Sequence, residues 1–128
     1  MSKLEEYESF ICSTACHPGA HTTEGFITSA LVTMGEAGEL CDVAKRVIYD
    51  QGTYKSFVMN ADLHKRAVSE LGDLFCCLVL VAQDLGVTLT QVAEISEAKI
   101  RRRVEDGTLL KKVPEYDDEA HKVADKPV

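Results

Sequence analysis

Two acid pairs, Glu36/Glu39 and Glu70/Asp73, each stand three residues apart inside otherwise apolar stretches of the chain. An ionised carboxylate taken out of water without a partner costs on the order of several kcal/mol, so four acids on core-forming segments must raise their pKa values or recruit cations. Residues three apart on a helix are separated by roughly 4.5 Å along its axis and share a face. Each pair therefore projects from neighbouring points. Oxygen donors with no accompanying Cys or His suit Mg2+ or Mn2+ better than zinc. Because magnesium keeps several waters and commonly binds substrate phosphates as well, the chemistry this pattern suggests is phosphate chemistry.

The neighbours of the acids sharpen that reading. Gly35, Gly38 and Gly72 stand beside them at positions that read as helix interior, where each glycine costs about 1 kcal/mol relative to alanine. Close backbone approach or room for a ligand would offset that cost. The bland alternative is two solvated helix faces, against which the apolar surroundings argue. Asp42, one turn beyond Glu39, either extends the metal face or pairs with Lys45 or Arg46.

Helices must position these side chains. Ser2 caps a first helix, with Glu5 and Glu6 in its opening turn, expected to run until Pro18-Gly19. Thr22 or Thr23 opens a second, carrying Phe26, Ile27, Ala30, Leu31, Met34, Leu40, Cys41, Ala44, Val47 and Ile48 at helical spacing and stopping near Asp50 before Gln51-Gly52. A third starts between Asn60 and Asp62 and is closed by Gly86. Thr88 or Thr90 caps a fourth, which ends at Asp106-Gly107. The short connection predicts that the second and third helices pack antiparallel, which brings the two acid pairs face to face. The expected fold is all-α, with a helical domain over residues 1–107 and an extended tail over 108–128 that packs over a neighbouring subunit.

A chain of 128 residues that is 45% hydrophobic and 27% charged is globular, one domain, and its formal net charge of -7 argues against nucleic-acid backbone as a partner. Five cysteines, an odd count, with three of them in apolar helical segments, point to a reducing cytoplasm. The acidic N-terminus is unlike a signal peptide, and the longest apolar run, Leu74 to Ala82, falls far short of the roughly 20 residues of a membrane span. The expectation is a cytoplasmic protein with neither a nucleic-acid nor a membrane partner.

Three stretches carry the argument to a family: GEAGELCDVAKR from Gly35, ELGDLFCCLVLVAQDLGVTL from Glu70, and AKIRRR from Ala98. Over residues 22 to 106 the chain resembles the MazG-like nucleoside triphosphate pyrophosphohydrolases of the all-α NTP pyrophosphatase superfamily, whose signature is E-x-x-E followed by E-x-x-D. The resemblance implies a four-helix MazG-like bundle, assembled as a homodimer or homotetramer. It also implies Mg2+-dependent conversion of a nucleoside triphosphate to the monophosphate and pyrophosphate, with Mn2+ as a substitute. Glu36, Glu39, Glu70 and Asp73 match the metal-holding positions. The metal would neutralise the triphosphate and acidify the attacking water, with Glu36 and Glu39 as the catalytic acids and Glu39 favoured to take the proton. Lys99, Arg102 and Arg103 fall where family members contact phosphates; for these arginines a solvated last turn is the bland account. Leu40 to Ser69 is longer than in the compact members, which leaves the base pocket around Gln51 to Asn60 undefined. A broad housecleaning enzyme, a dUTP or dCTP hydrolase and a purine-selective, dGTP-like enzyme all stay open.

Other readings compete. A di-iron bundle needs E-x-x-H on two helices, and the chain has no E-x-x-H. A non-catalytic helical oligomerisation or regulatory module with a structural metal site is the alternative to an enzyme. Cys12, Cys16, His17 and His21 contain enough soft ligands for zinc, but their spacing matches no common finger and Pro18-Gly19 interrupts it, so a structural or accidental cluster is favoured. Tyr49, Tyr54 and Phe57 either stack on a base or pack the neighbouring helix.

Overall fold

The computed structural model describes residues 1–51 and 60–109. They form four helices, α1 (Lys3–Thr14), α2 (Thr23–Gln51), α3 (Ala61–Asp84) and α4 (Leu89–Glu105), with no strand among the described residues. Tyr54, Phe57 and the tail from residue 110 lie outside them.

Local side-chain chemistry sets the helix ends. At α1, the Glu5 N–H donates to Ser2 Oγ (3.3 Å) while the Ser2 N–H donates to Glu5 Oε2 (2.6 Å), a reciprocal capping box. The helix stops at Thr14 rather than continuing to Pro18. Ala15 takes extended backbone, which ends the helix there, and Pro18 disfavours helical backbone at His17 beyond it. Thr88 and Gln91 repeat the box at α4: the Gln91 N–H donates to Thr88 Oγ1 (3.1 Å) and the Thr88 N–H to Gln91 Oε1 (2.9 Å). Glu8 on α1 accepts the neighbouring Leu89 N–H at 2.6 Å.

The turn into α2 depends on a glycine pair. Gly19 has φ +72°, and Gly25, in the first turn of α2, lies directly against the Gly19 backbone, so that a Cβ on Gly25 would overlap the Gly19 carbonyl. Gly25→Ala should therefore cost about 2 kcal/mol or more, despite alanine's higher helix propensity. Urea unfolding checks this; a variant as stable as the parent would show that the turn can open without loss.

α3 is the central element of the compact unit Met1–Ala93, with α2 along one side and α1 on another. The rings of Tyr7 and Phe75 stack with centroids 5.3 Å apart. Ile11, Val43, Cys77, Val79 and Ala82 form the buried core. Several residues expected to be core are open to solvent in the single chain: Leu31 is 66% and Met34 72% exposed, and Ile27 and Leu71 are more than half exposed. Helical period puts them on common faces, but this one chain does not cover those faces. Residues from Glu94 onward form a second unit. No single helix among the described residues is long and apolar enough to cross a membrane.

Candidate metal centre

Glu36 on α2 and Glu70 and Asp73 on α3 converge. Each can offer one carboxylate oxygen so that all three atoms lie within 4.8 Å of one another. Glu70 and Asp73 occupy adjacent turns of α3, as the i, i+3 spacing requires, and the α2–α3 packing supplies the third acid from the other helix. Glu36 and Glu70 are half-buried and Asp73 is exposed. Glu39 is not in this group. It is exposed and, with Gly35, Gly38 and Asp42, lines a shallow depression of about 350 Å³. Asp42 is paired with Lys45 (Oδ1–Nζ 2.7 Å).

The surrounding groups feel this concentration of charge. Burial pushes the thiols of Cys76 and Cys77 up, and the charges of Asp73 and Glu36 add to it, most from Asp73 at Cys76 and from Glu36 at Cys77. Burial likewise raises Tyr7, with further contributions from Cys76 and Asp73. Such thiols stay protonated at neutral pH, when they are weak nucleophiles and weak ligands. The donor set is thus all carboxylate oxygen and fits a hard divalent cation. Around Gly35, Gly38 and Gly72 nothing among the described residues lies within 4 Å of where a Cβ would stand. Close backbone approach is therefore not their reason; they leave open space beside the acids.

Comparison with known proteins decides the family. Residues 24–108 match the MazG nucleotide pyrophosphohydrolase domain. The chain belongs to the MazG family. The Gene 37 protein of Mycobacterium phage L5 is 28% identical over 109 residues, covering 83% of this chain and 92% of that protein. No solved structure matches significantly. MazG domains are nucleotide pyrophosphohydrolases that use a divalent metal, and the matched segment contains all three converging acids together with Glu39.

Elsewhere in the MazG segment, Lys99, Arg102 and Arg103 are exposed on α4, the two arginines in its last turn. Arg101 is held by Glu97, Nε to Oε1 at 2.8 Å. Tyr49 is 76% exposed and stacks on no ring among the described residues. Sequence reasoning missed Arg66, whose Nε lies 3.4 Å from Glu70 Oε1. The i, i+4 spacing was the available signal.

The Cys/His cluster, all of it N-terminal to the MazG match, does not bring three ligand atoms together among the described residues. Its histidines go to Asp84 at the end of α3. That carboxylate has no exposed side-chain surface. It accepts from His17 Nε2 and Ser29 Oγ, both at 2.8 Å, and from the His21 N–H at 2.7 Å. Burial works to raise Asp84, but the hydrogen bonds from His21, Ser29 and His17 together outweigh it and hold the carboxyl below its ordinary 3.8. His21 takes φ +65° to deliver its N–H. The signal was faint: an acid four residues upstream of Thr88, at a helix end, reads as a solvated terminus.

Proposed function

We propose that this MazG domain hydrolyses a nucleoside or deoxynucleoside triphosphate between the α and β phosphates, yielding the monophosphate and pyrophosphate, with Mg2+ as cofactor and Mn2+ as substitute. The observation that carries the reading is the meeting of Glu36, Glu70 and Asp73 from two helices within 4.8 Å, inside the matched segment. Three carboxylates so close repel one another unless a cation joins them. Magnesium bound there supplies charge neutralisation for the triphosphate and a more acidic water.

The chain's own groups have separable tasks. Glu36, Glu70 and Asp73 hold the cation. Glu39, one turn along α2 and open to solvent, is the base that takes the proton from the attacking water. Lys99, Arg102 and Arg103 carry the phosphate-binding role on the strength of the sequence resemblance. The open apolar positions Ile27, Leu31, Met34 and Leu71 favour a homodimer or homotetramer.

The deciding experiment measures pyrophosphate release from all canonical ribo- and deoxynucleoside triphosphates, with Mg2+ or with EDTA, and identifies the monophosphate. Metal-dependent release is expected, and the panel reads the base preference directly. Release that persists in EDTA rejects the metal centre; silence across the panel rejects canonical nucleotides as substrates and favours a modified nucleotide or a regulatory helical module.

A further inference from the structure

Arg66 is the charged neighbour that the metal-centre reading leaves unused. It stands one turn before Glu70 on α3, its Nε 3.4 Å from Glu70 Oε1, with 37% of its own side chain and 15% of Glu70's exposed. Its charge also reaches across to α2. Asp42 is held below its ordinary value first by the hydrogen bond and charge of Lys45, with smaller pulls from Arg46 and Arg66. Asp42 is also one of the residues, with Gly35, Gly38 and Glu39, that line the open depression on α2.

We propose that Arg66 is a counter-ion that changes partner: it neutralises Glu70 while the centre holds no cation, and it binds a substrate phosphate oxygen once a divalent ion has taken over Glu70. The inference rests on the metal-centre reading. A guanidinium beside Glu70 and a divalent cation on the same carboxylate repel each other, so the pair competes with metal binding. Orientation of Glu70 by Arg66 works in the opposite direction, but one hydrogen bond to a part-exposed partner is the weaker effect. Once displaced, the guanidinium has the planar donor set suited to a phosphate.

The test uses the full chain and two probes, Mg2+ alone and inorganic tripolyphosphate in the presence of saturating Mg2+, both followed by calorimetry. Arg66→Gln should bind Mg2+ about three- to tenfold more tightly than the parent, because a competing charge is gone. The Mg2+-saturated variant should bind tripolyphosphate about tenfold more weakly. Arg66→Lys keeps the charge, so its Mg2+ affinity should stay near the parent's. Arg66 is part-exposed, and unchanged circular dichroism would establish that the variants fold. A merely structural helix pair would move the melting temperature and neither affinity. Unchanged or weaker Mg2+ binding by Arg66→Gln, undiminished tripolyphosphate binding, or a lysine variant that tightens Mg2+ as much as glutamine does would each overturn the proposal. A parent protein that binds no Mg2+ would overturn the metal centre itself, and this inference with it.

Discussion

Turnover should fall about a hundredfold or more in Glu36→Gln, Glu70→Gln and Asp73→Asn, while the metal-free protein keeps or gains stability. The two halves of that expectation have one cause. Three carboxylate oxygens within 4.8 Å repel one another, so neutralising Glu36 or Asp73 should raise metal-free stability by about 0.5 kcal/mol. Glu70→Gln should be close to neutral, since the relief is offset by the loss of Arg66's partner. Added Mg2+ should raise the melting temperature of the parent, because a ligand that binds only the folded state stabilises it by mass action. The three variants should lose most of that response. Glu39→Gln separates proton transfer from metal binding: it should keep the Mg2+ response and still lose turnover. Melting curves with and without Mg2+, beside pyrophosphate release, read all four. Variants that hydrolyse nucleotides like the parent would move the active site elsewhere. If they instead melt several degrees lower without metal, the acids are part of the fold rather than a cation site.

The acid pairs were legible because two constraints of different kind coincide on them. The i, i+3 spacing puts each pair on one helix face, and the apolar residues beside the pairs, such as Leu40 and Leu74, argue against a wholly solvated helix. Only the packing of α2 on α3 could show that Glu36, and not Glu39, reaches the α3 pair. The capped starts of α1 and α4 were legible for a similar reason, since capping is local chemistry within four residues. The early end of α1 was not. Periodicity predicts which residues prefer a helix, whereas the helix ends where Ala15 turns to extended backbone, which no pattern of apolar residues marks. Which apolar faces are covered was also beyond the sequence, because Leu31 and Val43 look alike in a hydropathy pattern yet one is 66% and the other 1% exposed. Asp84 was the largest omission. Its partners His17, His21 and Ser29 lie more than fifty residues away along the chain, and no spacing rule links them.

Asp84 is where the largest stability effect is expected. Asp84→Ala should cost about 3–4 kcal/mol at neutral pH, because it removes the acceptor of the part-buried His17 ring N–H and of the His21 N–H and leaves the Ser29 hydroxyl only its longer bond to the Phe26 carbonyl, 3.2 Å. Asp84→Asn, which keeps one acceptor oxygen and turns a donor towards the same groups, should cost about 2–3 kcal/mol. The cost is concentrated at one end of the unit, where Asp84 ties the loop between α1 and α2 to the last turn of α3; there His17 Nδ1 is already buried without a partner among the described residues, so the ring has no second bond to them to fall back on. The pH dependence follows from the direction of the shift. The folded-state carboxyl sits below its ordinary 3.8, so the unfolded chain takes up a proton first as pH falls. The contribution of Asp84 is complete well above 3.8 and is lost as pH drops through and below that value. Urea unfolding of the parent and Asp84→Asn between pH 7 and pH 2.5 should therefore show a wide gap in stability at neutral pH that narrows on the acid side. A gap that is constant with pH would mean that the carboxylate charge is not what the three donors require, and a gap near zero at pH 7 would mean that the loop is held by other contacts.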